Sequence, residues 1–148
     1  MYKTVLIPLD GSRYSEMILP YARRIAESMD LSVELFHAID QKSIDAFVDR
    51  AHDRYSDTIE TELKQRAIQY LHVIASEEFP DFPVECLAQK GPPEEAIMSR
   101  AAEKDGALIA MATRGHAGVR RWFLGSVADK VLQTLDRDGA PAENRTLA

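Results

Sequence analysis

Three glycines, three arginines and a histidine fall within "MATRGHAGVRRWFLGSVADKVL", Met111 to Leu132. These residue types suit an anion. Gly115 and Gly118 let a backbone fold closely around a phosphate, and Arg114, Arg120 and Arg121 supply positive charge. Gly125-Ser126 stands where Val127, Val131, Leu132 and Leu135 take up helical spacing. The first N–H groups of a helix lack internal partners and carry the positive end of its dipole, so a phosphate can dock there if small residues let it approach. A simpler reading also fits: Ser126, with Asp129 three residues on, caps the helix, and the arginines are solvated. Spacing alone leaves both open.

Other chemistries lack their residues. There is no G-x-x-x-x-G-K-[ST] phosphate loop and no G-x-G-x-x-G after the first strand. No G-x-S-x-G elbow points to a serine hydrolase. His37, His52, His72 and His116 are scattered, and with one cysteine they make no metal-ligand spacing, so no metal site is expected. His37 reads as a packed histidine at a strand end, and Cys86 as a small buried hydrophobe.

Composition limits the partners. At 148 residues the chain has the size of one domain with a real core. A net charge of −6 argues against a general nucleic-acid or anionic-membrane binder, so the basic cluster is a local feature. The lone cysteine excludes an internal disulfide framework and fits a reducing compartment. The opening "MYKTVLIPLDGS" lacks the pattern of a signal peptide, and no stretch approaches the roughly 18 apolar residues of a membrane span. A cytoplasmic location is the expectation.

The elements that must position these residues alternate between strand and helix. "KTVLIPL" (Lys3 to Leu9), "LSVELFHAI" (Leu31 to Ile39), "FPVECLAQKG" and "ALIAMAT" read as strands. Met17, Ile18, Tyr21, Ala22, Ile25, Ala26 and Met29 recur at helical spacing, with Ser12 or Ser15 as cap and Pro20 marking a kink or a start. Ser43 to about Ser76 is one long helix or two, and "PPEEAIMSRAAEKDG" is another. Such alternation predicts an α/β fold with an open, doubly wound parallel sheet, strand order 3-2-1-4. Ligands of such sheets bind beyond the carboxyl ends of the strands, here at "DGS" and "TRGHAG".

The same segments resemble the universal stress protein family over nearly the whole chain, from "VLIPLDGS" to "LGSVADKVL". Nucleotide-binding members carry Gly, two residues, Gly, nine residues, then Gly-Ser or Gly-Thr. Gly115 and Gly125-Ser126 match that spacing, and Ala112 replaces the first glycine, adding one methyl group near the phosphates. The resemblance implies ATP as ligand, with or without Mg2+. It places base and ribose near Pro8, Asp10 and Ala38, and the phosphates at Ala112, Gly115, Gly125, Ser126 and Val127, with Arg114, Arg120 and Arg121 as further charge. Asp10 has a plainer reading as the Asp-Gly turn residue that caps the first helix.

Family members usually end in a fifth strand of valines or leucines. This chain ends "DRDGAPAENRTLA" from Asp136, so residues 1–136 are expected to form the domain and 137–148 a polar tail. The family's fifth strand is expected to be missing, leaving the edge of strand four open. A homodimer is implied by the resemblance, without its interface. Function is then expected to be nucleotide-dependent regulation in a stress response. A slow ATPase or phosphotransferase, and an interaction protein of the same fold that binds no nucleotide, are the alternatives; no catalytic residues are assigned.

Overall fold

The first strand, β1 (Thr4–Pro8), is buried along its whole length, and the rest of the fold is arranged around it. The computed structural model describes residues 1–50, 56–112 and 146–147. After β1 come α1 (Arg13–Glu16), α2 (Leu19–Met29), β2 (Ser32–Ile39), α3 (Gln41–Arg50) and α4 (Ser56–Glu78). Then follow β3 (Val84–Lys90), α5 (Pro93–Glu103), β4 (Ala107–Ala110) and β5 (Thr146–Leu147). All pairings are parallel, in the order β3-β2-β1-β4-β5. The expected 3-2-1-4 arrangement is therefore present.

Alternation along β1 explains its unbroken apolar run. Val5 and Ile7 point to one face and pack with Val33 and Leu35 of β2, Ala22 and Ala26 of α2, and Leu71 and Ile74 of α4. Leu6 points to the other, with Phe36, Ile109 and the α5 residues Ala96, Ile97 and Ala101. Both faces are covered, as parallel sheets require.

Local chemistry sets the helix boundaries. Ser12 caps α1 by accepting from the Ser15 amide at 3.1 Å. Pro20 lies in the first turn of α2, where its missing N–H breaks no intrahelical bond, so it starts a helix rather than kinking one. The segment after Ser43 is two helices. Asp40 caps the first, its Oδ1 accepting from the Ser43 amide at 2.8 Å. Ile44 and Ile59, one from each helix, close on Ile39 in a small satellite core.

Two expectations need correction. Met17 and Tyr21 recur at helical spacing with Ala22 and Ala26, yet they do not share one buried face with them: they are 62% and 65% exposed. Met17 lies between α1 and α2, where the helical period is interrupted, and the buried stripe of α2 runs through Leu19, Ala22 and Ala26 instead. Met29, the last residue of α2, is also exposed. The second correction concerns the tail. A fifth strand was expected to be missing, but Thr146 and Leu147 pair with Ile109 and Ala110. Strand pairing is made by backbone groups, so an open edge can take up two residues without a β-branched apolar run. Leu147 is also the one sizeable hydrophobe of that tail.

One charge is buried inside the sheet. Glu34 of β2, its side chain 1% exposed, receives a hydrogen bond from Arg100 Nε at 2.6 Å. Lys104 Nζ stands 3.2 Å from its other oxygen, without a well-aligned hydrogen bond. Glu85 of β3 holds Lys104 from the exposed side at 2.7 Å.

Candidate functional site

The sheet order reverses beside β1: β2 and β3 lie to one side of it, β4 to the other. Chain leaving β1 and β4 at their carboxyl ends therefore flanks the switch point where doubly wound sheets bind ligands. Of the residues read from the sequence, Pro8, Asp10, Ala38 and Ala112 reach this end of the sheet. Pro8 is the last residue of β1 and is buried; Ala38 and Ala112 are half-buried; Asp10 is exposed. Arg114, Gly115, His116, Arg120, Arg121, Gly125, Ser126 and Val127 lie outside the described residues.

The loop after β1 is ordered by its own side chains. Gly11 turns the chain at a φ of +86°, in the left-handed region that favours glycine. Asp10 Oδ1 accepts from the Ser12 amide at 2.8 Å and from the Ser12 hydroxyl. The same hydroxyl accepts from the Ser15 amide, and the Ser15 hydroxyl receives the Asp10 amide at 3.3 Å. Asp10 is thus a turn residue that orients the helix cap, which is its plainer reading. Both Ser12 groups thus bond to the same carboxylate oxygen, Oδ1. Burial works against the Asp10 charge as the largest single influence. The Ser12 hydroxyl and amide and the Ser15 hydroxyl together outweigh it, and hold the carboxyl below its ordinary range. Asp10 is therefore an ionised acceptor at neutral pH, suited to hydroxyl donors such as those of a ribose.

A residue not assigned to the site completes this edge. His37 is half-buried, and its Nδ1 donates to the Leu9 carbonyl across 2.7 Å. Leu9 in turn donates its amide to the Phe36 carbonyl at 2.8 Å, the last backbone rung between β1 and β2. Only geometry reveals the His37 contact, because nothing in "LFHAI" says where the ring points.

On the outer side of the same loop, the Tyr70 hydroxyl of α4 donates to Glu16 Oε1 at 2.8 Å and holds α1 against the body of the domain. Cys86 is half-buried against the α2–α4 core rather than fully enclosed, and burial pushes its thiol pKa up. Among the described residues, no three His, Cys, Asp or Glu side chains are grouped to hold a metal ion, and no helix is long and apolar enough to cross a membrane.

The universal stress protein family model matches residues 1–138. Universal stress protein MJ0531 of Methanocaldococcus jannaschii is 32% identical over 136 residues, spanning 90% of this chain and 77% of the relative. Among solved structures, protein MJ0577 of the same organism superposes with a TM-score of 0.72 at 24% identity, over 99% of this chain and 94% of that one. A universal stress protein in complex with cAMP gives 0.57 at 18% identity, over 99% and 94%. A family member from Arabidopsis thaliana with AMP bound gives 0.54 at 13% identity, over 99% and 92%. At these identities the solved structures speak for the fold, and the fold is the same α/β sheet. With the family model covering all but the last residues, this chain belongs to the universal stress protein family.

Proposed function

We infer that the carboxyl edge of β1, β2 and β4 binds an adenine nucleotide, ATP in the first instance, and that occupancy regulates which partners the protein engages in a stress response. The observation that supports this reading is that Pro8, Asp10, Ala38 and Ala112 all lie at the carboxyl ends of β1, β2 and β4, beside the switch point, with Asp10 held ionised. Base and ribose sit against Pro8, Asp10 and the Ala38 backbone. The phosphates sit on Ala112, Gly115, Gly125, Ser126 and Val127, with Arg114, Arg120 and Arg121 as neighbouring charge, in keeping with the family spacing. Solved relatives that hold cAMP and AMP support an adenine nucleotide as the ligand class. Magnesium, if used, arrives with the phosphates. The single cysteine supports a reducing, cytoplasmic setting. We take residues 1–136, together with Thr146 and Leu147 on the β4 edge, as the working domain, and a homodimer as its assembly.

The test begins with nucleotide released from the purified protein by denaturation and identified by chromatography. Calorimetry with ATP, AMP and cAMP, with and without magnesium, then ranks the ligands. Gly125→Val places a branched side chain against the phosphates. It should abolish ATP binding while circular dichroism stays that of the wild type. Equal ATP affinity for wild type and variant sinks the phosphate assignment. Steady release of phosphate from ATP by the wild type favours the ATPase reading over the binding module.

A further inference from the structure

We propose that His37 is a positioning residue for the nucleotide: its ring claims the Leu9 carbonyl and so keeps the Ala38 N–H available to the base. The register carries the argument. β1 and β2 run in parallel pairing up to Pro8 opposite Phe36, and the Leu9 amide adds one rung to the Phe36 carbonyl. In a parallel strand the N–H and C=O of alternate residues face opposite neighbours. Phe36 faces β1, so Ala38 also faces the β1 side. His37 and Ile39 face β3, as the Gly91 amide on the Ile39 carbonyl at 3.0 Å confirms. Continuing the ladder by one step would join the Ala38 N–H to the Leu9 carbonyl. That carbonyl instead takes the His37 Nδ1 at 2.7 Å, and no described residue accepts the Ala38 N–H.

Two consequences meet at one point. The ring ties the exit of β1, and with it the Asp10 turn, to the end of β2. It also stops the strands from zipping closed over a half-buried backbone donor. A donor held at the mouth of the sheet, with the ionised Asp10 on the turn that directly follows Leu9, suits a heterocycle with a ring-nitrogen acceptor attached to a sugar hydroxyl. The affinity part of this inference rests on the nucleotide reading above; the backbone part does not.

The experiment has two arms. Amide exchange is followed by NMR on ligand-free wild type, His37→Leu and His37→Asn; asparagine places an N–H donor where Nδ1 stands. In the wild type the Ala38 amide should exchange faster than the laddered Phe36 amide. In His37→Leu the freed Leu9 carbonyl takes the Ala38 N–H, slowing its exchange by about tenfold or more, and His37→Asn should stay close to wild type. ATP calorimetry on the same three proteins should show His37→Leu weakened by about tenfold, and His37→Asn within about threefold of wild type. The inference is overturned if the Ala38 amide is as protected in the wild type as that of Phe36, if His37→Leu leaves its exchange unchanged, or if His37→Leu binds ATP as wild type does. A wild type that binds no nucleotide, yet shows the Ala38 exchange response, defeats the nucleotide reading and upholds the role of His37 at the strand ends.

Discussion

Arg100 Nε lies 2.6 Å from Glu34 Oε1, joining the last turn of α5 to a fully buried position in β2. A carboxylate so enclosed is costly to leave without a partner, and here the partner side chain is itself 18% exposed. Removing one member of a buried pair costs about 3–5 kcal/mol, while replacing both with apolar residues is often neutral. Arg100→Met should therefore destabilise the protein by about 3 kcal/mol, at the low end because Lys104 remains near Glu34. The double variant with Glu34→Met should recover most of that loss. Urea unfolding of the single and double variants measures the difference. Equal stabilities for the two would mean that the pair is not energetically coupled.

Gly106 and Gly11 make a contrasting pair. Both have positive φ, +67° and +86°, so an added side chain meets the left-handed penalty of about 1–2 kcal/mol at either position. A Cβ at Gly106 would also come within 2.7 Å of the Met1 carbonyl and 3.0 Å of the Lys3 amide, whereas Gly11 faces open space. The Gly106 carbonyl accepts the Lys3 amide at 2.8 Å, so this approach fixes the start of β1. Gly106→Ala should lower the melting temperature clearly more than Gly11→Ala. Equal shifts would show that the chain ahead of β1 gives way freely.

Tyr70 ties α4 to α1, the helix that follows the Asp10 turn. Burial, then the hydrogen bond to Glu16 and the charges of Glu16 and Asp10, push its phenol well above the ordinary 10.0. The sign follows from linkage. A pKa raised by folding contributes stability that is fully present below the unfolded value near 10.0, and is lost as pH rises through the higher folded value. Tyr70→Phe should cost about 1 kcal/mol at pH 7 and proportionately less in strong alkali. In an absorbance titration of phenolate, the chain's five tyrosines should include a late-ionising one that disappears in this variant. A late component that survives in Tyr70→Phe belongs to another tyrosine.

Much of this architecture is legible in the residues. "KTVLIPL" reads as a buried strand because both faces of β1 are covered, and Pro20 reads as a kink or a start, of which the structure has the start. The rule that ligands gather at strand carboxyl ends points to the loops "DGS" and "TRGHAG", while Pro8, Asp10, Ala38 and Ala112 as single residues come from the family resemblance. What stayed hidden depends on contacts far apart in sequence. His37 is one residue from Ala38, but its role comes from a carbonyl 28 positions away. Glu34 announces a buried charge in an apolar strand, yet its partner lies 66 positions on. Leu147 falls in a tail whose composition promises no strand, because composition measures side-chain burial and the pairing is made by backbone.

The pairing of Thr146 and Leu147 with Ile109 and Ala110 has a consequence for association. β4 is four residues long and buried throughout, and without a neighbour its outer backbone groups form an open, flat edge. Open apolar edges recruit other strands, and proteins blunt them with short or covering segments. β5 is such a segment: two residues, enough to occupy the edge and too few to hold strongly. Removing residues 146–148 should uncover β4 and raise concentration-dependent self-association, seen as a growing weight-average mass in light scattering. Nucleotide affinity should change little, because Asp10 and Ala38 are held by the β1–β2 side of the sheet and β5 touches neither strand. A truncated protein whose mass stays constant across concentration would show that β5 is not what guards the edge. A large loss of affinity would instead place the tail over the candidate site.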